Sequence, residues 1–148
     1  MNPLGIENGT IPDSAITASS VYNSIHPPFS GRLNKANSPC SWGPSRREGS
    51  WLQIDLGKLT TVSAIATQGS CYGAAWAKSY SVTYSNDGKD WTAYRESEGT
   101  KIFESNRDRN SIVIHTFKIH INARYIRVLP KTWHVVPVIR LELYGCPH

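Results

Sequence analysis

The 148-residue chain is 39% apolar and 18% charged, which excludes intrinsic disorder, and it holds no apolar run approaching the roughly 18 residues of a membrane-crossing helix. Sixteen Lys and Arg against eleven Asp and Glu leave a formal charge of +5, suited to anionic partners such as lipid headgroups, sulfated glycans or nucleic acid. That charge is spread along the chain without a basic run or nucleic-acid motif, so nucleic acid is set aside as a partner.

The length fits one domain over residues 1–148, able to fold on its own core. Its start, "MNPLGIENGTIPDS", lacks the basic and apolar regions of a signal peptide, which leaves open a cytosolic protein or an excised extracellular domain. In "WLQIDLG", Leu52, Ile54 and Leu56 alternate with Gln53 and Asp55, the period of a half-buried strand, and Gly57 is expected to end it. "TVSAIATQG" follows as a more continuous apolar run. "SYSVTYSNDGKDWTAY" holds two alternating segments around Asn86-Asp87-Gly88 and predicts a hairpin. "SIVIHTFKIHI", "ARYIRVLP" and "VIRLELYG" repeat the alternation, the last placing Ile139, Leu141 and Leu143 on one face. Short strands punctuated by Gly, Pro, Asn and Ser predict an antiparallel all-β sandwich or barrel.

Two irregular segments, residues 20–50 and 69–78, are long for such a domain and are therefore the places to look for function. They carry Tyr22, Ile25, His26, Phe29, Cys40, Trp42, Arg46 and Arg47, then Cys71, Tyr72 and Trp76. No nucleophile elbow, metalloprotease helix, phosphate loop or paired carboxylates occur, so the chain is not read as an enzyme. His115 and His120 fall in or beside a strand pattern as structural residues. Three distant cysteines, Cys40, Cys71 and Cys146, make no zinc site. No cofactor is expected. The one opening for calcium is Asp108 in "NRDRNS", for which a charged turn is the plainer reading.

The blocks "PLGIENGTIPDSAITASS", "RLN", "WLQIDLG", "ATQG", "SYSVTYSNDGKDW", "ARYIRVLP" and "IRLELYGC" run in order from Pro3 to Cys146, and they resemble the coagulation factor 5/8 type C, or discoidin, domain. The resemblance implies an eight-stranded antiparallel jelly-roll barrel with ligand-binding loops, or spikes, at one end. It also implies that the usual partner of Cys146 falls about one position before Met1, leaving Cys146 unpaired by truncation; a free thiol on an intracellular protein is the rival reading. The sequon Asn8-Gly9-Thr10 leans toward secretion, and an extracellular location is expected. As in retinoschisin-like discoidin domains, Cys40 and Cys71 are expected to bridge neighbouring spikes. "TWHVVP" is similar too, with Trp133 as a packing residue and His134 as either a pH-sensitive surface group or polar decoration.

Lipid-binding members of this family insert apolar spike tips while basic residues meet the headgroups. By that resemblance Tyr22, Ile25, His26 and Tyr72 are tip candidates, Arg46, Arg47, Lys35 and Lys78 supply charge, and Phe29 packs beneath the loop. Protein-binding members use a pocket between the spikes, where Tyr22 falls. Arg47 stands about where some of them carry an aspartate, and Ser70 where the collagen-binding ones carry an arginine, so an acidic peptide or carboxylate suits Arg46 and Arg47 better. Sugar-binding members stack aromatic rings on the ligand, with Tyr22, Trp42, Tyr72 and Trp76 as candidates and packing as the alternative for the two tryptophans. The expected function is non-enzymatic attachment to cell-surface phospholipid or glycan. Recognition of a collagen, growth-factor or acidic-peptide ligand is the alternative.

Overall fold

Leu52 and Ile54 are fully buried while Gln53 and Asp55 lie half-exposed, so the sequence alternation becomes a sheet with one covered face. The computed structural model describes residues 2–23, 26–97 and 99–147. Its strands are β1 (Ile16–Ala18), β2 (Leu52–Gln68), β3 (Trp76–Ser85), β4 (Thr92–Ala93), β5 (Arg95–Glu96), β6 (Gly99–Thr100), β7 (Phe103–Glu104), β8 (Val113–His134) and β9 (Arg140–Pro147). The pairings between these strands are antiparallel, and an isolated parallel bridge joins Arg32 to Leu141. The order β1-β2-β8-β3-β4 forms the main path of one curled sheet, β9 joins β2, and β7 joins β3. Inside the curl lie Trp42, Leu52, Ile54, Ile65, Tyr80, Phe103, Phe117, Ile126 and Leu141. This is the expected all-β antiparallel jelly roll.

Gly57 does not end its strand. With φ of 82° it forms a bulge, its N–H donating to Asp55 Oδ1, and β2 resumes pairing with β8 at Thr60. "WLQIDLG" and "TVSAIATQG" are therefore one bent strand, and "SIVIHTFKIHI" and "ARYIRVLP" merge likewise into β8. Each long strand serves both halves of the curl. On the outer surface the Arg127 guanidinium is sandwiched 3.8 Å from the Trp51 ring centre and 3.9 Å from that of Trp91.

In β9 the expected apolar face is present, but the opposite face is covered as well. Glu142 is 1% exposed and accepts from the N–H groups of Ile6 (3.0 Å), Glu7 (2.8 Å) and Leu143 (3.0 Å), fixing the N-terminal segment. Gly145 N–H donates to Asn2 O, and Cys146 carries an exposed free thiol beyond it.

The predicted hairpin joins β3 to β4, with Gly88 at φ of 76°. The N–H groups of Asp90 and Lys89, then the Ser85 hydroxyl, donate to the Asp87 carboxylate and hold its pKa down to about 2, from 3.8. Asp55 is lowered in the same direction by Arg124, whose Nε and Nη2 lie 2.9 and 3.1 Å from its oxygens. A carboxylate whose folded pKa is depressed contributes stability that is whole above the unfolded value and is lost as pH falls through the folded one. The melting temperature is expected to hold above pH about 5 and to fall between pH about 4 and about 2. Asp87→Asn should flatten that slope in a calorimetric pH series; an unchanged slope would remove Asp87 from the acid response.

Candidate functional site

Three loop segments meet at one end of the sheet: residues 19–51 between β1 and β2, 69–75 between β2 and β3, and 135–139 between β8 and β9. Directed hydrogen bonds shape them above a buried base that includes Leu33, Trp42 and Ile139. Tyr22 N–H donates to Gly43 O (2.7 Å), and Gly43 N–H to His26 O (3.2 Å), closing the first spike on itself. The Ser70 hydroxyl accepts from Tyr72 N–H (3.1 Å) and Gly73 N–H (3.3 Å), shaping the tip of the second. Cys40 and Cys71 are bridged, with Cα atoms 6.0 Å apart, so the first two segments are covalently joined. His26 sits on that bridge: its Nδ1 is 3.1 Å from Cys40 O and 3.2 Å from Ser41 Oγ, and its ring meets the edge of Tyr72 at 5.9 Å.

Beneath these segments Arg140 organises the whole end of the molecule. It is 2% exposed and donates to Gly69 O (2.8 Å), Ser70 O (3.3 Å), Lys35 O (3.0 Å), Arg109 O (2.8 Å) and Asn110 Oδ1 (2.9 Å). One guanidinium thus ties both joined spikes to the 109–110 turn. Burial, then the nearby Arg109, pushes its pKa down.

Between the spikes lies a cleft of about 380 Å³. Tyr22, His26, Arg47 and Tyr72 line it, as expected of an inter-spike pocket, opposite a wall of Val135, Val136 and Val138. Tyr22 is 64% exposed, Tyr72 51% and Val135 60%, so the rim is an apolar and aromatic tip set. Arg47 makes no side-chain hydrogen bond or ion pair among the described residues.

The other candidates separate. Trp42 is corrected: it is fully buried, its indole N–H donating to Ser20 O at 3.0 Å, and it cannot stack on a ligand. Arg46 does not line the cleft with Arg47; it lines a separate recess with Ser19, Ser20 and Glu48, so the two guanidinium groups are not paired on one site in this structure. Trp76 stacks on His134 at 4.4 Å and faces a second cleft with Lys78. Lys35 Nζ is turned back to Asn37 O, and Phe29 packs against the core. Ile25 lies outside the described residues. Asp108 caps its own turn, accepting from Asn110 N–H, Ser111 N–H and Ser111 Oγ, and these bonds lower its pKa.

The F5/8 type C domain profile matches residues 15–143. The chain belongs to this family. Over 153 aligned residues the F5/8 type C domain is 42% identical to lactadherin of Rattus norvegicus, covering 97% of the present chain and 36% of the relative; the chain thus spans about a third of that protein's length. Among solved structures it is similar to discoidin II of Dictyostelium discoideum, with 30% identity, a TM-score of 0.82, and coverage of 90% of this chain and 55% of that one. It is also similar to the family 32 CBM of C. perfringens NanJ in complex with galactose, with 25% identity, a TM-score of 0.69, and coverage of 91% and 97%.

Two elements of this F5/8 type C end escaped the reading of the sequence. The valine wall follows Trp133 and His134 in "TWHVVP"; its signal in the sequence is an apolar run just outside a strand. Val135 reaches the cleft from a left-handed backbone, φ 67°. Arg140 alternates with Ile139 and Leu141, and the period of two carries no signal that its own face is covered.

Proposed function

We propose that this domain is a non-catalytic extracellular attachment module, one part of a longer protein, that binds anionic cell-surface ligands through the spike cleft. The observation that carries the reading is the unpaired Arg47 set among Tyr22, Tyr72 and Val135. An exposed apolar rim gains about 25 cal/mol per Å² withdrawn from water, and a basic residue near an anionic leaflet adds about 1 kcal/mol, so rim and charge together fit a phospholipid surface. The Cys40–Cys71 bridge supports an oxidising compartment. A glycan as the ligand is supported by likeness to a module solved with galactose. Recognition of a protein ligand's carboxylate is the alternative, favoured by the concave shape of the cleft and the free guanidinium.

Sedimentation with phosphatidylserine against phosphatidylcholine vesicles at physiological salt tests this. Serine-lipid binding is expected, falling about fivefold in Arg47→Ala. Tyr22→Ala should weaken it as well with little change in melting temperature, since that side chain is mostly exposed. Absence of binding to either vesicle would withdraw the lipid reading and leave the cleft to a glycan or peptide.

A further inference from the structure

We infer a second binding site, for a sulfated saccharide, in the flank cleft where the Trp76–His134 stack meets Lys78 and Arg107. This cleft, about 370 Å³, is formed by the start of β3, the end of β8 and the turn after β7. It is back to back with the spike cleft. Ala75 and Val135 line the spike side, while their chain neighbours Trp76 and His134 line the flank side.

The two linings differ in chemistry. The spike cleft has a valine wall; the flank cleft has no aliphatic side chain at all, only an aromatic pair and polar groups. A flat ring beside polar groups, without an aliphatic wall, suits a pyranose, whose C–H face packs on the ring while its hydroxyls take hydrogen bonds. Lys78 and Arg107 add positive charge and make no side-chain hydrogen bond or ion pair among the described residues. Their donors are free for a sulfate, which the arginine fork can hold through two parallel hydrogen bonds. Glu104 supplies an acceptor for a hydroxyl and repels an anionic group at that point, which leaves the sulfate to the Lys78 and Arg107 end of the cleft.

The floor is rigid. Asn106 is 1% exposed, with its amide donating to Thr67 O (3.0 Å) and Ser111 O (2.9 Å), and Ser105 N–H donates to Lys78 O at 2.8 Å. The His115 ring bonds Glu104 O from the other side. A fixed backbone carrying free cationic ends lowers the ordering cost of binding.

This site stands independently of the lipid reading of the spike cleft. Its test is calorimetric titration with a heparin-derived hexasaccharide and with its desulfated form, on the whole 148-residue chain. Sulfate-dependent binding is expected, falling about tenfold in Lys78→Ala/Arg107→Ala. His134→Ala, which removes half of the stack, should weaken it severalfold. Lys58→Ala/Lys89→Ala is the charge-matched control, at the bulge of β2 and in the hairpin beyond the far end of β3, and should stay within about twofold. No sulfate-dependent binding, or an equal loss in the control pair, overturns the site. So does an equal loss of phosphatidylserine vesicle binding in Lys78→Ala/Arg107→Ala, which would make the cleft part of a membrane contact. Retained vesicle binding with lost saccharide binding supports it.

Discussion

Arg140→Met is expected to lower the unfolding free energy by about 3–5 kcal/mol and to melt the domain on the order of 10 °C earlier. Methionine fills much of the same volume, so the loss is polar in origin. Four of the five acceptors around the guanidinium are main-chain carbonyls, those of Lys35, Gly69, Ser70 and Arg109. Arg109 O also accepts from Gly69 N–H at 3.0 Å, but the carbonyls of Lys35, Gly69 and Ser70 have no second donor among the described residues, and each one left unsatisfied costs about 1–3 kcal/mol unless water enters. Arg140→Lys keeps the charge but not the planar fork. It should fall between wild type and methionine, because an ammonium offers three donors against five. Denaturant unfolding and a thermal melt, measured on all three proteins, check both halves of the claim. Stability within about 0.5 kcal/mol of wild type in Arg140→Met would show that water replaces the guanidinium.

Why that residue went unread explains most of the gap between sequence and structure. A period of two says which residues share a face, and on that score Ile139, Leu141 and Leu143 read correctly. It does not say whether the other face is covered. Arg140 and Glu142 alternate with the leucines as solvent-facing residues would. They are buried because the spike loops fold over one and the N-terminal segment over the other. The same limit applies in the loops. Arg46 and Arg47 are adjacent in sequence and face different recesses, since Ser20 Oγ accepts from the N–H groups of Ser45 and Arg46 and fixes the turn between them and the first spike. Trp42 looked like a loop aromatic and is core, because its segment bridges to Ile139 and goes inside the curl. The hairpin at Gly88 was readable because turn chemistry is local. The Cys40–Cys71 pair came from family resemblance; composition alone left any two of the three cysteines free to pair.

Replacing both bridge cysteines, Cys40→Ser/Cys71→Ser, is the other large effect expected. The bond closes a sequence separation of 31, for which chain-entropy arithmetic gives roughly 3–4 kcal/mol. That figure alone would follow from a staple anywhere of equal span. The cleft distinguishes stapling from function. Tyr72 is the residue after Cys71, and its ring meets His26, which is itself bonded to Cys40 O and Ser41 Oγ. Cutting the bond therefore removes the covalent tie between the Tyr72 tip and the Tyr22 side of the cleft, leaving the Tyr72–His26 ring contact and the bond from Arg109 Nη1 to Cys71 O at 3.0 Å. The base of the second spike stays anchored through Gly69 and Ser70 on Arg140. The double variant is thus expected to remain folded at room temperature with its tips less tightly coupled. Vesicle binding should then fall severalfold even where circular dichroism shows the protein wholly native, as the ordering cost moves from folding to binding. If affinity per folded molecule matches wild type, the bridge acts on stability alone and the spike face owes its shape to Arg140 and the loop hydrogen bonds.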